Sequence, residues 1–252
     1  MTAATDPPAT RARPPRVTAA CALMESDWSS WHMVLYGLTW ADYEALLTAR
    51  FEAGRKRMRI TYHRGAAEMM VPGVDPAEEA EPRGGGLRLI GLRHEVTRKR
   101  IAHLIEGWLC ETGGHFVAAG HTIVSRPDRD LGFDADEVYF VRDWQRVVHR
   151  LDPDFTPDPV PDLVLEVAPH ARAIDRDAVL AGLDIPEVWR YDAGRLTARL
   201  LRADGRYHES DTSLAIPGFP LAEVQRFVTD EPEDYGAFNR EYRAWVRSHP
   251  SV

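Results

Sequence analysis

Three acidic residues of this chain stand where a sheet would position them. They are Asp136 in GFDADEVYFV, Glu166 in PDLVLEV and Glu68 in the segment AAEMM. A carboxylate inside an apolar run costs free energy unless a cation or a hydrogen-bond network satisfies it. Mg²⁺ is one such cation; it takes one or two carboxylates and completes its shell with waters and a substrate phosphate. Held at neighbouring strand ends, Asp136 and Glu166 would supply that set for Mg²⁺ or Mn²⁺, with Glu68 assisting. A metal so held activates water for in-line attack on a phosphodiester. Arg176, on the short helix expected after Glu166, would offset the negative charge that develops. It would not act as the base, because a guanidinium keeps its proton.

Each of these residues also has a purely structural reading. Glu166 would pair with Arg176 or Arg190 inside the core, since structural ion pairs occupy such positions too. Asp136 would serve turn chemistry in FDAD. Glu68 would be a solvated hairpin residue.

The elements that must position these side chains are legible from period and punctuation. LTWADYEALLTARF reads as a helix capped by Thr39, with Asp42 close to a capping box and Leu38, Tyr43, Leu46 and Leu47 as its apolar stripe. RMRITYHRGAAEMMVP alternates as a hairpin turning at HRG. GVDPAEEAEPRGGG, acidic and rich in Pro and Gly, reads as a mobile loop. In HEVTRKRIAHLIEGWLCETGG, residues Ile101, Leu104, Ile105, Trp108 and Leu109 recur at helical spacing until Gly113-Gly114. Short strands are expected at HFVAAG, TIVSR, EVYFV and LVLEV. A brief helix over Asp175 to Leu183 leads to EVWRYD and RLTARLL, and two amphipathic helices, PLAEVQRFV and YGAFNREYRAWVRS, close the chain. Helices before and between strands predict a mixed α+β fold, with a mixed central sheet flanked by helices.

Composition bounds the class. The 252 residues, 44% hydrophobic and 28% charged, suit one sizeable core. No apolar run approaches the ~20 residues of a membrane span. Two cysteines are too few for a disulfide framework or a Cys-rich zinc site. RPPRVTAACALM is a poor signal peptide, which favours the cytoplasm. A net charge of −8 argues against strong unspecific binding of duplex nucleic acid, although RHEVTRKR and GRKRMRITYHR concentrate positive charge locally. HEVTRKRIAH does not have the two-histidine spacing of a zinc protease, and DPDFTPDPVPD lacks the glycine turn of an EF-hand. Arg98, Lys99 and Arg100 read as a solvated helix face.

The order of these motifs resembles the Uma-two family of restriction-endonuclease-like proteins, within the PD-(D/E)XK nuclease superfamily. The resemblance runs from about Leu38 to Val228, through LTWADYEAL, RITYHRGAAEMMVP, the helix opening at His94, GFDADEVYFV, PDLVLEV, IPEVWRYD and GRYHESDTSLAIPGFPL. It implies a restriction-endonuclease-like core, assigned to residues 31–230; residues 1–30, rich in Pro, Thr, Ala and Arg without apolar period, read as a disordered tail, and 231–252 as a helical extension. It also implies a metal-dependent endonuclease, with Asp136 and Glu166 as the metal pair, Glu68 as the hairpin glutamate and Arg176 where the family places a lysine. His94 falls where the family often has histidine and would contact substrate phosphate, or else serve as a surface or capping residue. The superfamily lysine two positions beyond the glutamate is absent, because Ala168 stands there. The expected partner is nucleic acid, DNA ahead of RNA, with a homodimer as the form that cuts two strands. The alternative is a catalytically degenerate fold acting as a binding or scaffold module.

Overall fold

The computed structural model describes residues 21–23, 30–54, 58–72, 92–150, 155, 157–167, 173–229 and 234–249. The loop expected over GVDPAEEAEPRGGG, the position of Ala168 and the first twenty residues of the expected tail lie outside them. Strand β1 (Cys21–Leu23) does lie within that tail and pairs with β2 (Ser30–Tyr36).

Helix α1 (Trp40–Glu52) starts where its cap requires. Asp42 N–H donates to Thr39 Oγ1 at 3.3 Å, and Thr39 N–H donates to Asp42 Oδ2 at 2.8 Å. This reciprocal box satisfies two of the amide groups a helix start leaves unpaired. The hairpin β3 (Arg59–His63) and β4 (Ala66–Pro72) turns at Arg64-Gly65, both at positive φ. Helix α2 (Leu92–Glu111) follows, and its predicted stripe of Ile101, Leu104, Ile105, Trp108 and Leu109 is buried throughout.

The stretches HFVAAG and TIVSR, expected as two strands, form one strand, β5 (Val117–Arg126). It pairs antiparallel with β6 (Leu131–Phe140) along nearly its whole length. After the short helix α3 (Trp144–Val147) come β7 (Leu163–Val167), helix α4 (Arg176–Gly182), β8 (Glu187–Asp192), β9 (Arg195–Leu201) and β10 (Tyr207–Ser210). Helices α5 (Leu221–Thr229) and α6 (Tyr235–Ser248) end the described chain. The sheet runs β1-β2-β4-β3-β6-β7-β8-β9-β10, with β5 also on β6. Among these pairings only β7 with β8 is parallel, and α4 makes the crossover that a parallel pair needs. This is the mixed α/β sheet, flanked by helices, that the order of elements predicts.

Alternation along the strands sorts side chains between two faces. Tyr139, Leu163, Leu165 and Trp189 pack with α2, α5 and α6 in one cluster. Val138, Val164 and Val188 pack with Val179 and Leu180 of α4 in another. Helix α6 contributes Phe238, Tyr242 and Val246 to the first cluster, and Tyr242 Oη donates to the Leu104 carbonyl at 2.8 Å. Within the expected extension at 231–252, the described helix Tyr235–Ser248 therefore packs on the first cluster.

Candidate acidic site

Strand β6 has one edge covered by β5. Its other edge is shared: β3 pairs at Leu131 and Gly132, and β7 pairs from Glu137 to Tyr139. Between them, residues 133–136 have no strand partner on that edge, and the gap forms a notch. Asp134 and Asp136 sit beside it and Arg59 of β3 fills it. Arg59 Nη1 donates to the Ala135 carbonyl at 3.2 Å and Asp134 Oδ1 at 3.3 Å, while Nη2 donates to Asp136 Oδ1 at 2.6 Å. Arg50 of α1 also pairs with Asp134.

Asp136 thus lies within a strand, not in the turn its flanking sequence also allowed. Its Oδ2 accepts from the Val167 amide at 2.9 Å, and His94 Nε2 lies 3.5 Å away. The bond to Val167 ties Asp136 to the end of β7, next to Glu166. The register of β6 with β7 ends at Glu137 opposite Leu165. Continued by one residue, it sets Asp136 across from Glu166.

Glu166 is 1% exposed and faces two guanidinium groups. Arg190 Nε donates to Oε2 at 2.8 Å, and Arg176 Nη2 lies 2.5 Å from Oε1. The second contact is an ion pair without hydrogen-bond alignment, since Oε1 is buried with no aligned donor. Arg176 also lies over the Phe133 ring, 4.5 Å from its centroid. Asp175 caps α4 by accepting from the Ala178 amide, and Asp177 in its first turn binds Arg190 and Arg199. Carboxylates in a first helical turn favour the helix dipole, and here they also pin α4 to the sheet.

Glu68 is buried, not solvated: it accepts from the amides of Ala173 and Ile174, just ahead of α4. It therefore fixes the approach to α4. The structure brings His94 to Asp136 and Arg176 to Glu166, and it joins those two pairs through the Asp136–Val167 bond.

Electrostatics keep Asp136 ionised. Burial alone would raise the Asp136 pKa, but the bond from His94, the charges of Arg59 and His94, and the Val167 amide together hold it well below the carboxylate range. For His94, burial works against the charged form, yet Asp136 and Glu95 push its pKa up to about 9. It is a cation at neutral pH. On its other side His94 Nδ1 is 3.4 Å from Glu95, which also meets His121 at 3.6 Å and Arg98 at 2.7 Å.

Among the described residues, no group of three or more His, Cys, Asp or Glu side chains is arranged to hold a metal ion. Both oxygens of Asp136 and of Glu166 already face cationic or amide donors, so a divalent cation at these two carboxylates would have to displace arginine or histidine.

Arg98 and Arg100, read as a solvated face, are buried: Arg98 pairs with Glu137, and Arg100 Nη1 donates to the Val228 carbonyl at 3.0 Å. Sequence reasoning did not find Arg59 or Asp134 as site residues. The signal for Arg59 is its place on the buried alternation of RITYH, where an arginine demands a partner. Compared with known proteins, the chain matches no family model, and no curated protein is significantly similar to it. Among the described residues no helix is long and apolar enough to cross a membrane.

Proposed function

We propose that the chain is a metal-dependent phosphodiester hydrolase of the restriction-endonuclease-like kind, acting on nucleic acid, DNA ahead of RNA. The resemblance to the Uma-two family suggests it. The observation that supports it is the Asp136–Val167 bond, which ties Asp136 of β6 to the residue next to Glu166 on β7. A divalent cation bound by Asp136 and Glu166 would supply an activated water and charge neutralisation. Arg176 stands on Glu166 and would turn to the phosphate oxygens. His94, protonated, would meet a second oxygen. Glu68 holds the segment ahead of α4, and so sets where Arg176 begins. For cleavage of both strands, two copies of the chain would pair, which a solution mass would reveal.

The test has two arms. Calorimetric titration with Mn²⁺ should show binding that is lost in Asp136→Asn. Cleavage of DNA and RNA panels with Mg²⁺ or Mn²⁺ should be lost in Asp136→Asn and Glu166→Gln. Equal cleavage by wild type and both variants would assign the activity to a contaminant.

One observation favours a second reading, that of a degenerate fold serving as a binding or scaffold module. Arg176 and Arg190 face both oxygens of Glu166, and Arg59 takes Oδ1 of Asp136. If Mn²⁺ displaces none of them and no heat of binding appears, this second reading stands.

A further inference from the structure

Among the described residues, four cations face the carboxylates of Asp136 and Glu166, and three of them face a second carboxylate as well. Arg59 donates from Nη2 to Asp136 Oδ1 at 2.6 Å and from Nη1 to Asp134 Oδ1 at 3.3 Å. Arg190 donates from Nε to Glu166 Oε2 at 2.8 Å and from Nη2 to Asp177 Oδ1 at 2.5 Å. His94 stands between Asp136, 3.5 Å from its Nε2, and Glu95, 3.4 Å from its Nδ1. Arg176 is the exception: among the described residues its one carboxylate is Glu166, and its Nε is buried without a partner.

The second carboxylates change what an arginine can do. A buried cation that loses its only partner is left desolvated and uncompensated, so a simple buried pair resists exchange. A guanidinium spanning two carboxylates can release one branch of its planar fork while the other stays bound. Arg59 and Arg190 are both of this kind. Their outer acids are also held independently: Arg50 pairs with Asp134, and Arg199 Nη1 donates to Asp177 Oδ2 at 2.8 Å. Asp134 and Asp177 therefore keep their places whichever way the shared arginine leans.

We propose that Arg59 and Arg190 form an ionic latch on the acidic pair, closed on Asp136 and Glu166 and released onto Asp134 and Asp177 when a divalent cation takes the pair. The inference rests on the hydrolase reading for the incoming cation, and it deepens that reading by naming what controls access to the site. Latch and metal compete for the same oxygens. Removing a latch arginine should therefore tighten metal binding. Removing its outer acid should weaken metal binding, because the arginine then has only the site to hold.

Mn²⁺ binding is measured by calorimetry on the full chain, without nucleic acid. Arg190→Gln should lower the Mn²⁺ Kd roughly fivefold, and Asp177→Asn should raise it by a similar factor. The opposite signs separate a latch from damage, which weakens binding in both variants. Asp192→Asn, two residues along β8 from Arg190 and not bonded to it, controls for through-space charge and should leave Kd unchanged. Circular dichroism checks folding, and Mn²⁺ should raise the Tm of Arg190→Gln more than that of wild type. Asp177→Asn alters a side chain 31% exposed and decides alone should Arg190→Gln not fold. Unchanged affinity in both latch variants, weaker binding in both, or an equal effect of Asp192→Asn overturns the latch. If Asp136→Asn still abolishes binding in that case, the metal reading remains. Uptake by Arg190→Gln but not by wild type supports the latch and removes the hydrolase reading for this chain. No uptake by any folded protein overturns both.

Discussion

Arg190 and Glu166 stand side by side on parallel strands, and Arg190 Nε donates to Glu166 Oε2 at 2.8 Å. Through Nη2 the same guanidinium holds Asp177 of α4 at 2.5 Å. One arginine therefore ties the candidate site to the helix that carries Arg176.

Removing Arg190 leaves Glu166, 1% exposed, with Arg176 alone. Breaking one partner of a buried pair is costly because it strands a desolvated charge. Arg190→Met should lower unfolding free energy by about 3 kcal/mol, read by urea denaturation. Adding Glu166→Leu should restore much of that loss; no restoration would show that the arginine acts through packing instead.

Arg176 sits between Glu166 and the Phe133 ring. Under the proposed hydrolase reading, Arg176→Met should reduce single-turnover cleavage roughly 10²-fold, as removing one charge-stabilising donor does. Arg176→Lys, which keeps a cation at that position, should retain part of it. Equal rates for wild type and the methionine variant would remove Arg176 from the reaction.

Stability should fall on both sides of a plateau. The imidazoles of His121 and His94 hold Glu95 below its ordinary 4.5, and Asp136 is likewise held below 3.8. Stability from lowered carboxylates is present above the unfolded pKa and lost as pH falls through the folded one. The raised His94 has the opposite sign: its contribution is complete below 6.5 and lost as pH rises through about 9. Tm should therefore decline below about pH 4.5 and again from 6.5 to 9, and His94→Gln should flatten the alkaline limb. An unchanged alkaline limb in that variant would discount the His94 pairings.

Glu187 is fully buried and accepts from Trp189 Nε1 at 2.5 Å and from the Leu214 and Ala215 amides at 2.8 and 2.7 Å. Truncation orphans three donors. Glu187→Ala should cost about 3 kcal/mol, and Glu187→Gln less, because its carbonyl still accepts. Equal costs measured by thermal unfolding would mean that the charge matters more than the bonds.

Local rules made most elements legible. The Thr39 box, the Arg64-Gly65 turn and the α2 stripe depend on residues a few positions apart, and each appears where period and cap chemistry place it. The single strand β5 was not legible, because His121 at φ +51 interrupts the pattern while pairing continues on both sides. The partners of the candidate acids were only partly legible. Arg176 and Arg190 follow Glu166 closely enough to be considered, whereas Arg59 reaches Asp136 from another part of the chain.

By itself, then, the sequence determined most element types, the mixed sheet and the place of Glu166 on a strand, because these follow from spacing and apolar pattern along one segment. Tertiary structure alone decided which cation meets which carboxylate. The notch that admits Arg59 exists because β3 and β7 share one edge of β6 without meeting, and Arg190 meets Glu166 because parallel β7 and β8 align in register. Ion pairing is a matter of distance in space, and only the assembled sheet sets those distances.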